Sequence, residues 1–165
     1  MRKILPVFIL GLALISTATT AQPEPEVQAL TQVDRKFMAE QRLRVDDLAR
    51  SRLGRQLTGS RDNDLEILQL LLDKQLVRAD QRLELRAMGV VLGDLLAQDA
   101  SSKWVTYRDQ RGRSRALKMG DSDNFLFPVT MISRRAETGA KVDVDAIYKK
   151  ADRLMQPYRQ PLPFQ

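Results

Sequence analysis

The chain has 165 residues with 27 basic and 21 acidic side chains, and it contains neither histidine nor cysteine. Without histidine the chain lacks the usual general base near neutral pH, the Ser-His-Asp arrangement and most zinc sites, and without cysteine it lacks disulfides and thiolate nucleophiles. Carboxylate pairs, Ser-Lys pairs and oxygen-only metal sites are the catalytic chemistries that remain.

Residues 1–21 have the three parts of a secretory signal peptide. Two cations, Arg2 and Lys3, precede an apolar run that ends at Ile15, and small residues follow up to Ala21. The apolar run is shorter than the roughly 20 residues that a membrane-spanning helix needs. We therefore expect cleavage near Ala21 and a periplasmic or secreted product with no membrane span. Loss of the two cations leaves a mature net charge of +4.

The expected mature chain begins with a linker and an amphipathic helix, which together occupy residues 22–61. Two prolines and two acids within residues 22–29 predict a disordered lead-in. From Leu30 to Leu53, apolar residues recur at three-, four- and eight-residue gaps in a charged background, which predicts an amphipathic helix. The apolar stripe of this helix consists of Leu30, Val33, Phe37, Val45 and Leu48.

Residues 62–158 are predicted to form one α+β domain, which is followed by an extended tail over residues 159–165. The first helix of this domain begins near Asn63. Apolar residues between Leu65 and Leu76 surround most of that helix, so we expect it to be buried on several sides. The mature length suits a single core.

The next helix is predicted from about Asp80 to Gln98, and it contains "MGVVLGD" with both glycines on one face. Each glycine in a helix interior costs about 1 kcal/mol relative to alanine, so a contact should offset the loss. A triphosphate-binding loop needs Lys and Ser or Thr after its last glycine, and a dinucleotide fingerprint needs a third glycine. Neither is present, so Gly89 and Gly93 are interpreted as positions where another element approaches the helix backbone.

A β-hairpin is predicted after this helix. Trp104, Val105 and Tyr107 favour a strand, and "DQRG" at residues 109–112 has the aspartate and glycine of a tight turn. Residues 113–119 then form the returning strand.

Two short helices are predicted to complete the domain. Pro128 fits the first position of one helix, and Phe125 and Phe127 would extend a third strand leading into it. Asp143 or Asp145 would cap the last helix. The apolar face of that helix consists of Ile147, Ala151 and Leu154. The fold class is therefore α+β, with a helical N-terminal half, a small antiparallel hairpin or three-stranded sheet, and C-terminal helices.

Aromatic and basic residues lie close together on the predicted hairpin, and two arginines follow on the next helix. Such a surface is typical of contact with an anionic partner. The predicted contact residues are Trp104, Asp109, Arg113, Arg134 and Arg135. The small net charge, few aromatic residues and expected export make nucleic acid a poor candidate, which leaves an envelope protein or an anionic polymer as partner. No catalytic residue, metal or cofactor is predicted.

The segments "MGVVLGD", "KWVTYRDQRGR", "FLFPVTMISRR" and "VDVDAIY", in this order, resemble an uncharacterised domain family of exported proteobacterial proteins. The similarity extends from about Leu83 to Tyr148. This resemblance implies an α+β domain and no mechanism. The positions characteristic of the family would be Gly89, Gly93, Trp104, Asp109, Gly112, Pro128 and Arg134. Among these, the structural positions would be Gly89, Gly93, Gly112 and Pro128.

Three functions are compatible with these features. The leading interpretation is a periplasmic binding or interaction module without catalytic activity. The second is a hydrolase of cell-envelope polymers that uses Asp94 or Asp109 as acid or base. The third is a structural protein that self-associates through residues 30–53. The sequence leaves the ligand and the oligomeric state open.

Overall fold

The computed structural model describes residues 24–100 and 102–159, and within those ranges it has five α-helices and one four-stranded sheet. The helices are α1 (Gln32–Leu53), α2 (Arg61–Asp73), α3 (Arg82–Ala100), α4 (Met131–Glu137) and α5 (Val144–Met155). The strands are β1 (Glu26–Ala29), β2 (Lys103–Asp109), β3 (Gly112–Lys118) and β4 (Phe125–Leu126). The expected α+β fold class is confirmed.

Two of the predicted segments fall mainly outside this description. The signal peptide predicted for residues 1–21 lies outside the described residues, as does the predicted tail after residue 159. Among the helices that are described, none combines the length and the apolar composition needed to cross a bilayer.

The four strands form an antiparallel sheet in the order β1, β2, β3, β4. The predicted hairpin is present as β2 and β3, and its two-residue turn is closed by the pair Asp109 and Gly112. Gly112 has φ +118°, a conformation that side-chain-bearing residues rarely adopt. The predicted third strand is present as the two-residue β4.

The prediction of a disordered lead-in over residues 22–29 is wrong where the structure describes it. Residues 26–29 form β1, which pairs with β2 from Glu26 opposite Arg108 to Ala29 opposite Val105. The exposed edge of β2 offers unpaired backbone groups, and a short segment satisfies them without burying side chains. A segment whose four residues are all exposed has no apolar alternation by which its pairing could be recognised.

Helix α3 lies at the centre of the core. It packs against all four other helices and against a 3-10 turn formed by Pro128–Thr130. Its fully buried side chains include Leu85, Met88, Leu92 and Leu96. The remaining elements of the domain are therefore positioned by their contacts with this helix.

The two glycines of α3 lie where neighbouring elements come closest to the helix. A Cβ atom built on Gly89 would lie 2.4 Å from the carbonyl oxygen of Val129, and one on Gly93 would lie 2.3 Å from Cζ2 of Trp104 and 2.9 Å from Cβ of Pro128. Real Cβ atoms do not approach other atoms so closely. The missing side chains thus let the turn at residues 128–130 and the Trp104 ring touch the helix surface.

The buried face of α1 differs from the predicted stripe. Val45 is buried as expected, but Val33 is 76 % exposed. The buried residues of α1 are Asp34, Met38, Gln41, Val45 and Ala49. Asp34 and Gln41 belong to the buried face because both side chains find hydrogen-bond partners there. A stripe that is predicted from apolar residues alone omits such polar positions. The predicted buried face of α1 is therefore displaced around the helix axis from the observed one.

The buried face of α5 is confirmed at Ile147 and Ala151 and wrong at Leu154, which is 52 % exposed. Asp143 caps this helix by accepting a hydrogen bond from the backbone N–H of Ala146 at 2.8 Å. Met155 closes the apolar face in place of Leu154, because a spacing of four residues from Ala151 keeps the side chain on the same side of the helix. Leu154 is left at the surface.

The glycine contact at position 89 gives a direct prediction. Gly89→Ala should lower the free energy of unfolding by about 3 kcal/mol, because the added methyl group meets a backbone carbonyl that has no room to move. Urea unfolding followed by circular dichroism measures the change. Arg86→Ala, at an exposed position of the same helix, should change stability by less than about 0.5 kcal/mol. An increase in stability of about 1 kcal/mol for Gly89→Ala, as helix propensity alone would give, contradicts this account.

Candidate functional site

Trp104 lies half-buried between the sheet and α3, where it connects three elements. Its indole Nε1 donates a hydrogen bond to Oδ1 of Asp94 at 3.0 Å. The same carboxylate accepts two hydrogen bonds from Arg42 on α1, from Nε at 2.5 Å and from Nη2 at 2.7 Å. This paired geometry raises the pKa of Arg42. Packing between the sheet and α3, together with this hydrogen bond, accounts for the position of Trp104.

Arg113 also has an internal partner. Its Nη2 donates to the fully buried carboxylate of Asp34 on α1 at 2.6 Å, and Arg115 Nε donates to the same carboxylate at 3.1 Å. Thr31 adds hydrogen bonds from its hydroxyl and backbone N–H. The hydrogen bond from Arg113 holds the pKa of Asp34 well below its usual range, although burial acts in the opposite direction. The Arg115 guanidinium stacks 3.9 Å from the centre of the Phe37 ring.

Asp109 shapes the hairpin turn. Its Oδ1 accepts a hydrogen bond from the backbone N–H of Arg111 at 2.8 Å. This is the local side-chain contact that favours aspartate at the first position of a tight turn. The structure therefore gives Trp104, Asp109 and Arg113 structural partners, and it does not bring them together with the remaining predicted contact residues.

Arg134 and Arg135 lie on α4 beside a shallow groove of about 290 Å³, which we name the basic groove. It is bounded by β4, α4 and α5. Its apolar lining consists of Phe125, Leu126, Phe127, Met131, Ile147, Ala151 and Leu154. Its cationic lining consists of Arg134, Arg135 and Lys150. The groove is therefore an apolar surface bordered by positive charge.

The positive charges of the basic groove are not neutralised within the described residues. No carboxylate there lies within ion-pair distance of Arg134 or Lys150. Arg135 donates from Nη1 to the backbone carbonyl of Met131 at 2.9 Å, which fixes the guanidinium and leaves its charge uncompensated. The groove can therefore bind anionic groups without first breaking an internal ion pair.

Aromatic contacts connect the hairpin to the basic groove. The ring of Tyr107 on β2 lies 5.0 Å from that of Phe125 and 5.3 Å from that of Phe127, measured between ring centres. Strand alternation places Tyr107 on the face of the sheet opposite Trp104. Tyr107 therefore supports, from the hairpin, the two phenylalanine rings that line the groove.

Lys150 and the exposed Leu154 also line the groove, and neither was predicted from the sequence as a contact residue. Lys150 follows Ile147 by three residues and precedes Leu154 by four, so helical periodicity places all three on one side of α5. That spacing was a usable signal once the last helix was recognised. What the sequence does not show is that β4 and α4 pack beside this face and leave it partly open.

A second depression, of about 550 Å³, lies between α1 and α3 and contains three carboxylates: Asp46, Asp64 and Asp94. Each is already engaged. Asp46 accepts hydrogen bonds from Arg50 and from the backbone of Leu57, and Asp64 accepts from the backbone of Gly59 at 3.0 Å. Burial alone would raise the pKa of Asp46, but these hydrogen bonds lower it. Within residues 24–100 and 102–159, no group of three metal-ligating side chains is present.

The profile of a family described as a domain of unknown function, DUF3806, matches residues 64–148. Because this match covers more than half of the chain, the protein belongs to that family. The expectation of an uncharacterised domain family is thereby confirmed. Helix α1 lies before the matched region, although Asp94 and Arg113, two of the residues that hold α1 in place, lie inside it.

A crystal structure of a protein from Bacteroides thetaiotaomicron VPI-5482 has a similar fold, with a TM-score of 0.71 over 82 % of this chain at 16 % sequence identity. The chain spans 50 % of the length of that protein. At this identity the similarity concerns the fold alone. No curated protein matches the chain.

The buried carboxylate of Asp34 gives a prediction with a pH dependence. Asp34→Asn should lower the free energy of unfolding at pH 7 by about 3 kcal/mol, because Arg113 and Arg115 lose their anionic partner. A depressed pKa in the folded state stabilises the protein fully above the unfolded pKa; this stabilisation begins to decline as the pH falls below about 4 and is lost completely only below the folded-state pKa. Urea unfolding at pH 7 and at pH 3 should therefore show a smaller difference between variant and wild type at pH 3.

The matched control is Asp47→Asn, an exposed carboxylate on the same helix. It should alter stability by less than about 0.5 kcal/mol at either pH. An equal loss of stability for Asp34→Asn at pH 7 and at pH 3 contradicts the proposed role of the Asp34 charge.

Proposed function

We propose that this member of the DUF3806 family is a non-catalytic binding module of the cell envelope that holds an anionic partner in the basic groove. The observation that supports the proposal most is the grouping of Arg134, Arg135 and Lys150 around an apolar surface, where neither Arg134 nor Lys150 forms an ion pair with a described carboxylate. Cationic groups beside an exposed apolar surface are typical of contact sites for anionic partners.

The charge distribution on the rest of the molecule agrees with this function. A depression of about 540 Å³ between α2 and the start of α5 has the opposite sign. Its charged lining consists of Asp62, Glu66, Asp73, Asp143, Asp145 and a single cation, Lys141. An anionic partner is repelled from that surface and attracted to the basic groove, so the two depressions together orient its approach.

The hydrolase alternative has less support. It requires Asp94 or Asp109 to act as acid or base, but Arg42 occupies both oxygens of Asp94 and Asp109 holds the hairpin turn. These contacts explain the carboxylates as structural groups.

Export is part of the proposal. It is supported by the signal-like composition of residues 1–21, namely two cations followed by an apolar run and small residues. N-terminal sequencing of the chain recovered from the periplasm tests it. The sequence should begin near Gln22, and a chain that keeps Met1 and stays in the cytoplasm contradicts export.

The double charge reversal Arg134→Glu with Lys150→Glu tests the anionic groove. It should weaken binding of poly-L-glutamate to the mature chain by about tenfold at low salt, because it replaces attraction by repulsion on two sides of the groove. Fluorescence anisotropy of labelled poly-L-glutamate measures the dissociation constant. Circular dichroism checks that the variant remains folded.

The matched control is Lys36→Glu with Arg86→Glu. It changes the net charge by the same amount at exposed positions of α1 and α3 outside the groove. Its dissociation constant should stay within about twofold of the wild type, since only a screened long-range attraction is lost. Equal weakening by both pairs indicates a non-specific charge effect and contradicts the proposal.

A further inference from the structure

We infer that the partner of the basic groove is an acidic segment of another protein, and that this segment inserts one bulky apolar side chain between α4 and α5. The inference rests on the proposed function, because it names the class of anionic partner for the same groove. It follows from the size of the groove, from the nature of its rim and from the placement of its charges.

The size of the groove fits an anchoring side chain. Its volume of about 290 Å³ lies at the lower limit of the roughly 300–1,000 Å³ of sites that enclose a small-molecule ligand. Protein contacts, in contrast, gain most of their binding energy from a few bulky side chains that fill small pockets. A shallow groove of this size therefore suits one apolar side chain of a peptide segment, with the rest of the segment lying across its rim.

The rim of the groove exposes apolar side chains that a purely hydrophilic polyanion would not contact favourably. Leu154 is 52 % exposed, although Ile147 and Ala151 on the same helix are buried. Phe125 and Phe127 contribute further half-buried rings, whose contacts with Tyr107 hold them in place. An exposed leucine beside fixed aromatic rings forms an apolar area. Removing this area from water is favourable only when the group that covers it is also apolar.

The cations lie on two different helices that border the groove. Arg134 and Arg135 belong to α4, and Lys150 belongs to α5. A segment whose apolar side chain lies between these helices meets positive charge on both sides of that side chain. The complementary partner segment therefore has carboxylates on both sides of its inserted apolar residue. An arginine beside a groove also forms paired hydrogen bonds with a carboxylate.

The test uses two labelled nine-residue peptides and the mature chain. One peptide has phenylalanine between two runs of glutamate, and the other has serine in place of the phenylalanine. The phenylalanine peptide should bind about fivefold more tightly, because only it fills the apolar part of the groove. Leu154→Ser should remove this difference, whereas Leu83→Ser, which alters a similarly exposed leucine of α3 outside the groove, should preserve it.

The outcomes separate this inference from the proposed function. Equal affinity for the two peptides, with binding still weakened by Arg134→Glu and Lys150→Glu, overturns the apolar anchor and leaves an anionic groove. Binding of phosphatidylglycerol vesicles that depends on Leu154, without a preference between the peptides, identifies a lipid surface as the partner and also overturns the inference. If the charge reversals affect no probe, the proposed function itself fails.

Discussion

The close contact between α3 and the elements packed on its two glycines determines the arrangement of this domain. The absence of a side chain at Gly93 admits the Trp104 ring, and the next residue, Asp94, accepts the hydrogen bond of that indole. The same carboxylate holds Arg42 of α1. Two adjacent residues of α3 thus fix both the sheet and the first helix, since a bulkier residue at 93 would displace the ring from its hydrogen bond.

The basic groove depends on the same helix. At Gly89 the backbone of Val129 reaches the surface of α3, and the turn that contains Val129 leads directly into α4. The position of α4 relative to α5, and with it the separation of Arg134 from Lys150, follows from that contact. Helix α1 is held by Asp34 and Arg42, so self-association through residues 30–53 would have to use its exposed residues or release these ion pairs.

The sequence predicted the helices, the hairpin and the glycine-lined face, because these depend on local periodicity and on residues with special backbone or steric properties. It did not predict β1, whose pairing uses backbone groups alone, or the buried Asp34, whose partners are 79 and 81 residues away along the chain. Of the predicted contact residues, only Arg134 and Arg135 line the basic groove. Trp104 and Arg113 resembled surface groups because their partners, Asp94 and Asp34, come from other elements.

The most direct test of the central role of α3 is a double-mutant cycle that combines Gly93→Ala with Trp104→Leu, measured by urea unfolding. In the wild type, Gly93→Ala should cost about 2 kcal/mol, because the new methyl group collides with the indole ring. In the Trp104→Leu background this cost should fall to less than half. The same cost in both backgrounds would show that Gly93 does not serve to admit the ring, and it would contradict the account.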